Sequence, residues 1–275
     1  MTSPLIGVDA LRTRLDEVTV LDVRYRVGGG PGREEYAAGH IPGATYVDLD
    51  TELAEHPADP VDGRGRHPLP SPERFVGAMQ RAGVETRASV VVYDDWQGRA
   101  AGRAWWLLRH YGHRDVRVLD GGWTAWVASG GAVETDSNPP DVGDFDGRPG
   151  SMPLVDGDEL LDGRVVVDAR APERYRGETE PLDPVAGHVP GAVNVETGRN
   201  LDAEGCFLDA TQLRQLYASV GAAPDARVAA YCGSGVTATH DILAMEVAGI
   251  RAALFASSWS GWVADPSRAV EGGQG

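Results

Sequence analysis

The two halves of the chain contain the same four short motifs in the same order. In the first half they are residues 20–24, 39–44, 90–93 and 118–126, and in the second half they are residues 166–170, 187–192, 228–231 and 254–262. Equivalent residues lie between 136 and 148 positions apart, as Trp123 with Trp259 and Gly39 with Gly187 illustrate. This period is too long for a solenoid repeat. It predicts two domains of one fold in tandem.

The segment between the two sets of motifs has the composition of a linker. Residues 129–151 are rich in glycine, proline and acidic side chains and lack apolar periodicity. We therefore predict a first domain at residues 1–130, a linker at 131–151 and a second domain at 152–275.

Short β-branched runs alternate with longer amphipathic stretches in each half. The runs are residues 90–93, 165–167 and 227–231, and the amphipathic stretches include residues 101–111 and 238–249. This alternation is typical of an α/β fold. We expect each domain to be a mostly parallel sheet flanked by helices.

The charge balance argues against polyanionic partners. The 275 residues include 41 acidic and 25 basic side chains, and the net charge of −16 opposes binding to nucleic acid or to an anionic membrane. All basic residues are arginines, which excludes a Schiff-base lysine and the lysine of a P-loop. The sequence contains no apolar run long enough to span a bilayer, and its start lacks the pattern of a signal peptide. A cytoplasmic location is predicted.

The two cysteines have different sequence contexts. Cys206 lies in a turn-like stretch and is interpreted as structural, and neither cysteine belongs to a disulfide framework or a zinc-ligand cluster. Cys232 follows the strand-like run 227–231 and opens a glycine-containing loop that leads into a helical stretch from Ala238. Such a loop can turn several N–H groups toward one point, and a helix N-terminus favours a thiolate. Cys232 is therefore the candidate nucleophile, and a small buried residue in a glycine turn is the alternative interpretation.

Three features together resemble the tandem-domain rhodanese family, and in particular its 3-mercaptopyruvate sulfurtransferase branch. They are the cysteine loop 232–238, the two Gly-His-(Ile/Val)-Pro-Gly-Ala segments and the closing residues 258–262. The resemblance covers about residues 5–265 and implies a catalytically silent first domain and a second domain whose cysteine carries sulfur as a persulfide. The first-half residue that matches Cys232 is Asp94, which has no thiol.

The resemblance also implies roles for individual residues. Cys232 is the nucleophile, and Ser234 works with His67 and Asp50 as a hydroxyl, an imidazole and a carboxylate that move protons. No metal or organic cofactor is implied.

Other residues are expected to bind the sulfur donor. Arg174 matches the arginine that receives the donor's carboxylate or sulfonate, and the substrate-binding loop contributes Gly233, Gly235, Val236 and Thr237. One position departs from the branch, because the second arginine expected six residues after Gly177 is Asp183, which has the opposite charge.

The loop composition separates possible reactions. A cysteine phosphatase needs Cys-x5-Arg, and the arginine position is Ala238 here, so phosphate chemistry is disfavoured. The neutral Gly233 and Ser234 after the cysteine suit the monoanion mercaptopyruvate better than the dianion thiosulfate. Asp183 favours the thiosulfate alternative.

Residues that recur in both halves are interpreted as scaffold. They are the pairs Asp22 with Arg24 and Asp168 with Arg170, the turn residues His40 and His188, and the tryptophans Trp123, Trp126, Trp259 and Trp262. Ser258 and Trp259 are also placed at the rim of the substrate pocket.

The sequence therefore predicts a sulfurtransferase that moves sulfur from 3-mercaptopyruvate through a persulfide on Cys232. The acceptor is expected to be a small thiol, thioredoxin or cyanide. Two alternatives stay open at this point. One is thiosulfate as the donor at the same site, and the other is a non-enzymatic binding module on a rhodanese scaffold.

Overall fold

The chain separates into two compact units in the structure, a computed structural model that describes residues 3–26, 32–55, 63–136 and 139–272. The first unit contains the described residues up to Glu55, then Pro70–Met152 and Ala203–Cys206. The second unit contains residues 63–69, Pro153–Asp202 and the described residues from Phe207 onward. Residues 63–69 therefore belong to the unit built on the second half of the sequence. The boundaries predicted at 130 and 152 stay a prediction.

The first unit is built on a parallel five-stranded sheet in the order β1-β5-β4-β2-β3. Its strands are β1 (Leu5–Ile6), β2 (Val18–Asp22), β3 (Thr45–Tyr46), β4 (Ser89–Tyr93) and β5 (Val116–Leu119). Its helices are α1 (Val8–Arg12), α2 (Gly32–Ala38), α3 (Leu49–Glu52), α4 (Pro72–Arg81), α5 (Arg99–His110) and α6 (Gly122–Ala128), with a 3-10 turn at Leu15–Glu17.

The second unit has a parallel four-stranded sheet in the order β7-β6-β8-β9. Its strands are β6 (Val165–Asp168), β7 (Val193–Asn194), β8 (Val228–Tyr231) and β9 (Ala252–Leu254). Its helices are α7 (Pro172–Tyr175), α8 (Ala210–Ala218), α9 (Ala238–Val247) and α10 (Ser258–Trp262), with a 3-10 turn at Thr197–Asn200. A parallel bridge between Leu154 and Leu254 continues the sheet where β1 stands in the first unit. The predicted α/β class, with a parallel sheet and helices in each domain, is confirmed.

Two helices are more deeply buried than an amphipathic pattern predicts. Residues Ala238–Met245 of α9 are all buried, and α5 has a similarly buried run. In the second unit the outer side of α9 is covered, because Phe207 stacks on His240 at 4.6 Å and Tyr217 donates a hydrogen bond to the Asp241 carbonyl at 3.4 Å. The amphipathic interpretation of residues 238–249 was therefore wrong, although the helix itself is present.

The described part of residues 131–151 packs along the first unit. The backbone of Glu134 pairs with His40, and the Phe145 ring is buried against Phe75 with ring centroids 6.1 Å apart. Gln80 donates a side-chain hydrogen bond to the Phe145 carbonyl at 2.9 Å. Within the described ranges, no helix has the length and apolarity that crossing a bilayer requires.

A buried aspartate–arginine pair lies at the carboxyl end of one inner strand of each unit, β2 in the first and β6 in the second. In the second unit Arg170 contacts Asp168 at 2.7 Å and donates to the Gly187 carbonyl at 2.6 Å, and the Tyr231 hydroxyl donates to Asp168 at 2.5 Å. The first unit repeats the pair with Arg24 and Asp22 at 2.6 Å. Both pairs are almost fully buried, so they fix the ends of the strands. The structure agrees with their interpretation as scaffold.

The two turn histidines also have structural partners. His40 and His188 stack on Tyr36 and Tyr175 with ring centroids 3.9 Å apart in both cases. The Nδ1 atom of His188 lies 2.8 Å from the Tyr175 carbonyl. These contacts support their interpretation as scaffold residues.

In the first unit, the loop that follows β4 binds the carboxylate of one of its own residues. Asp94 follows β4 and is fully buried, and its two carboxylate oxygens accept four backbone N–H bonds of 2.8–2.9 Å, from Trp96, Gly98, Ala100 and Ala101. Burial raises the pKa of Asp94, and the four N–H groups oppose that rise because they stabilise the carboxylate. The loop is therefore an anion cradle that the chain itself occupies.

We expect Asp94→Ala to lower the free energy of unfolding of the first unit by at least about 3 kcal/mol, because it leaves four buried N–H groups without their acceptor. Urea denaturation would measure the change. Asp141→Ala, which removes an exposed carboxylate, is the matched control and should change stability little. Equal stabilities of the two variants would contradict the anchoring role of Asp94.

Candidate active site

Cys232 lies at the carboxyl end of β8, next to β6, where the strand order of the second sheet reverses. Ligands of open α/β sheets bind at such switch points, because the loops there diverge and leave a crevice. The Cys232 side chain is 2% exposed. The structure therefore places the candidate nucleophile where parallel α/β folds carry their chemistry.

The first residues of α10 form hydrogen bonds with the cysteine loop. Cys232 donates its N–H to Oγ of Ser258 at 3.1 Å, and its carbonyl accepts the N–H of Trp259 at 2.9 Å. Ser260 donates its N–H to the Gly233 carbonyl at 2.9 Å. Ser258 has φ +53°, a left-handed backbone that is uncommon outside glycine. Ser258 and Trp259 are both fully buried, so their predicted place at the pocket rim was wrong.

The loop backbone turns toward the cysteine sulfur. Gly235 donates its N–H to Sγ of Cys232 at 3.1 Å. It has φ +80°, and a Cβ atom there would lie 2.3 Å from the Ala256 carbonyl oxygen, so only glycine fits. Val236 is buried and accepts the Thr239 hydroxyl at 2.6 Å, while Thr237 caps α9. These contacts fix the loop at the N-terminus of α9, which favours negative charge.

Ser234 and His67 lie in hydrogen-bond contact within the second unit. The Ser234 hydroxyl is 2.7 Å from Nδ1 of His67. The segment before His67 lies against α10, because Arg66 donates its N–H to Oγ of Ser260 at 3.1 Å and Gly65 adopts φ +82° close to the Ser257 carbonyl. Asp50 lies half-buried in α3 of the first unit, and its action on His67 stays a prediction.

Arg174 lies in a cluster of alternating charges beside the loop. Its Nε and Nη2 donate to the two oxygens of Glu180 at 3.1 and 2.6 Å, and Nη2 also reaches Asp183 at 3.2 Å. Arg66 pairs with the other oxygen of Asp183. Burial raises the pKa of Asp183, although both arginines oppose the rise. Burial also acts to raise the pKa of Glu180, but hydrogen bonds from Arg174 and the backbone outweigh it, so that pKa is lowered.

A fully buried carboxyl group lies behind the loop on α9. Asp241 accepts a hydrogen bond from Nδ2 of Asn200 at 2.7 Å, and the Tyr217 hydroxyl contacts Oδ1 of that asparagine at 2.9 Å. Burial raises the pKa of Asp241 well above its usual value. The hydrogen bond from Asn200 opposes this rise in pKa, because it stabilises the carboxylate.

Sequence reasoning missed Arg66 and the part that Ser258 plays. Arg66 directly precedes His67 in the motif, and its charge is opposite to that of Asp183, so the pair could have been considered as partners. Ser258 gave no comparable signal, because its role depends on a backbone conformation that the sequence does not specify.

Comparisons with known proteins identify the family of this chain. The model of the rhodanese-like domain matches residues 8–129 and 156–265. A Mycobacterium tuberculosis protein named "Putative thiosulfate sulfurtransferase SseB" is 43% identical over 93% of this chain and 91% of its own length. A Pseudomonas aeruginosa protein named "Probable 3-mercaptopyruvate sulfurtransferase" is 41% identical over 99% of both chains. The crystal structure of SseA from Escherichia coli, described as a 3-mercaptopyruvate sulfotransferase, is 30% identical with a TM-score of 0.83 and covers 94% of this chain and 99% of that one.

Two rhodanese-like segments in one chain, with a cysteine loop in the second, define a class of sulfur-transferring enzymes. The chain belongs to the rhodanese-like family and is a sulfurtransferase. Its similarity to relatives named for different donors leaves the choice of donor to the chemistry of the site.

We expect Ser258→Ala to lower the free energy of unfolding of the second unit by about 1–3 kcal/mol, because the buried N–H of Cys232 loses its acceptor. Urea denaturation would measure this loss. Ser219→Ala, which removes an exposed hydroxyl that contacts the Leu216 carbonyl, is the control and should be nearly neutral. A neutral Ser258→Ala variant would show that α10 does not hold the loop through this hydroxyl.

Proposed function

We propose that this chain transfers sulfur from 3-mercaptopyruvate through a persulfide on Cys232. The observation that carries the proposal is the 2.7 Å contact between Ser234 and His67, two residues along the loop from the cysteine. A hydroxyl in contact with an imidazole can supply or accept a proton, and only one of the two candidate donors needs that proton. The neutral side chains that follow Cys232 in the loop also suit a monoanionic donor.

The first half-reaction is a displacement at sulfur. The Cys232 thiolate attacks the thiol sulfur of mercaptopyruvate, a sulfur–sulfur bond forms, and the carbon–sulfur bond breaks. The electron pair of the broken bond leaves with the pyruvate fragment as an enolate, which takes up a proton to become pyruvate. The N–H of Gly235, which contacts Sγ in the free protein, is positioned to stabilise negative charge on the new persulfide.

Ser234 and His67 supply the proton that the enolate needs. The imidazole polarises the hydroxyl, in the manner of other hydroxyl–imidazole pairs. Asp50 would orient His67 in this proposal. Arg174 would hold the donor's carboxylate, since its guanidinium group lies near Gly233.

In the second half-reaction the persulfide passes its outer sulfur to a nucleophile. A thiolate acceptor attacks that sulfur and becomes a persulfide, or cyanide attacks it and becomes thiocyanate, and Cys232 returns as the thiolate. We include a small thiol or thioredoxin among the acceptors and place the reaction in the cytoplasm. The first domain, with Asp94 in the cradle, takes no covalent part.

Thiosulfate is the second candidate donor. A specific observation favours it, since Arg66 and Arg174 both lie near Gly233 and add positive charge beside a loop that is itself neutral. Thiosulfate would leave as sulfite, a stable anion that needs no proton. The two donors therefore make different demands on His67.

Cys232→Ser should abolish sulfur transfer from both donors, because a hydroxyl cannot form the persulfide. Turnover with cyanide as the acceptor and a gain of one sulfur atom in the protein mass would both be lost. Cys206→Ser is the matched control and should keep both signals, since Cys206 lies in a turn of the first unit. Sulfur uptake by the Cys232→Ser variant would refute the mechanism, and wild-type protein without uptake would support a binding module instead.

His67→Ala should lower kcat with 3-mercaptopyruvate by about 10²–10⁴-fold, the usual contribution of a general acid–base group. Turnover with thiosulfate should change much less, because sulfite needs no proton. Steady-state rates with both donors and cyanide would measure the difference. If the two donors lost activity equally, or neither did, the 3-mercaptopyruvate assignment would lose its mechanistic support.

A further inference from the structure

Two guanidinium groups face the residue that follows the catalytic cysteine. A Cβ atom placed on Gly233 would lie 2.9 Å from Nη2 of Arg66, 3.5 Å from Nη1 of Arg174 and 3.7 Å from Nη2 of Arg174. Both arginines belong to the second unit, although they are far apart in the sequence. They therefore converge on one point beside the cysteine loop.

The nitrogens nearest to that point are the ones left over by the ion pairs. Arg174 uses Nε and Nη2 on Glu180 and Asp183, and Arg66 uses Nη1 on Asp183. Within the described ranges, neither Nη1 of Arg174 nor Nη2 of Arg66 donates a hydrogen bond to the protein. The carboxylates thus orient the two guanidinium groups and leave one edge of each directed at Gly233.

The two guanidinium groups are held by buried carboxylates and are themselves partly exposed to solvent. Glu180 and Asp183 have side chains that are only 3% exposed, whereas Arg174 is 16% and Arg66 is 30% exposed. The Arg66 backbone is held by Ser260, which also donates its N–H to the Gly233 carbonyl. Arg66 and the loop are therefore fixed to the same residue of α10.

We propose that Arg66 is a donor-binding residue that forms, with Arg174, a two-arginine pocket for the carboxylate of the sulfur donor beside Gly233. Asp183 acts as the positioning residue that bridges the two arginines. This inference rests on the proposed function, which names the carboxylate donor but assigns its recognition to Arg174 alone. It also explains how a chain with an acidic residue at position 183 can provide two cations for the carboxylate.

Gly233 leaves the ends of both arginine side chains uncovered. Even the smallest side chain at this position would come within 2.9 Å of the Arg66 guanidinium. An anion that lies in front of Gly233, between the two guanidinium groups, could accept charge-assisted hydrogen bonds from Nη2 of Arg66 and Nη1 of Arg174. Because Gly233 has no side chain, both guanidinium groups stay accessible from the side of the loop.

Alkylation of Cys232 by two reagents of similar shape tests this pocket without using sulfur chemistry. Iodoacetate carries a carboxylate and iodoacetamide does not, so the ratio of their rates at Cys232 reports the attraction of an anion to the loop. We expect Arg66→Gln to lower this ratio by about 10-fold or more, the usual effect of losing a charge-assisted hydrogen bond. The control is Arg64→Gln, which makes the same charge change at an exposed neighbouring residue and should leave the ratio within about 2-fold.

Pyruvate provides an equilibrium measurement in the same variants. The pyruvate concentration that halves the rate of iodoacetamide alkylation should rise about 10-fold or more in Arg66→Gln and stay constant in Arg64→Gln. Protection by methyl pyruvate, which lacks the charge, should not differ between the variants. Because this measurement compares each variant with itself, it remains valid if Arg66→Gln alters the basal reactivity of Cys232.

The outcomes separate this proposal from the proposed function. The pocket would be overturned if Arg66→Gln changed neither the ratio of the two alkylation rates nor the protection by pyruvate. It would also be overturned if Arg64→Gln changed both by the same amount. Either result would count even if Cys232 takes up sulfur normally. A fall specific to Arg66→Gln would support the pocket even if wild-type protein took up no sulfur from 3-mercaptopyruvate, which would refute the proposed function alone.

Discussion

The buried contact between Asp168 and Arg170 is the interaction on which the active loop depends. Arg170 contacts the strand-end aspartate at 2.7 Å, donates to the Gly187 carbonyl and lies over the Trp259 ring at 4.5 Å. Trp259 in turn donates its backbone N–H to the Cys232 carbonyl. A buried ion pair adds little net stability, because desolvation offsets its attraction, but it permits few alternative arrangements. Its main effect here is to set the position of α10 under the cysteine.

The same arginine joins the scaffold to the donor-binding cluster. Arg170 also contacts Glu180 at 3.3 Å, Glu180 binds Arg174, and Arg174 reaches Asp183, which pairs with Arg66. Positive and negative groups therefore alternate from the buried end of β6 to the partly exposed Arg66. Removing one member leaves its neighbours with an unpaired charge, so mutations along this series should couple rather than add.

The first unit shows what this loop architecture does when its nucleophile is absent. It repeats the aspartate–arginine pair, the stacked turn histidine and the tyrosine that reaches the pair, yet its loop begins with Asp94 and not with a cysteine. Four backbone N–H groups bind that carboxylate, which demonstrates that a loop at this sheet position can hold an anion. In the second unit the equivalent residue is Cys232, and the N–H of Gly235 points at its sulfur. The same loop therefore binds a carboxylate of the chain in the first unit and carries a thiol in the second.

The repeat was enough to predict the α/β class, the tandem arrangement and the place of Cys232, because strand ends and glycine loops leave local signals in the sequence. The buried faces of α9 were not predictable, since the layer that covers them comes from residues 200–217 and not from its own pattern. Ser258 was misplaced for a similar reason, because its buried position and left-handed backbone are not specified by its own sequence context. Arg66 was missed because its partner Asp183 is 117 residues away, and only folding brings them together.

The chain has a net charge of −16, yet the proposed donor is an anion, so local charges and not the total must account for its binding. At physiological ionic strength, exposed charges more than about 8 Å apart are largely screened. A carboxylate at Gly233 would therefore respond to the two guanidinium groups within 4 Å of that position more than to the overall charge of −16. Glu180 and Asp183 are close as well, but their oxygens accept hydrogen bonds from Arg174, which offset their negative charge. Glu180 and Asp183 thus orient the two guanidinium groups, and the N–H groups that make no ion pair can bind an anionic ligand.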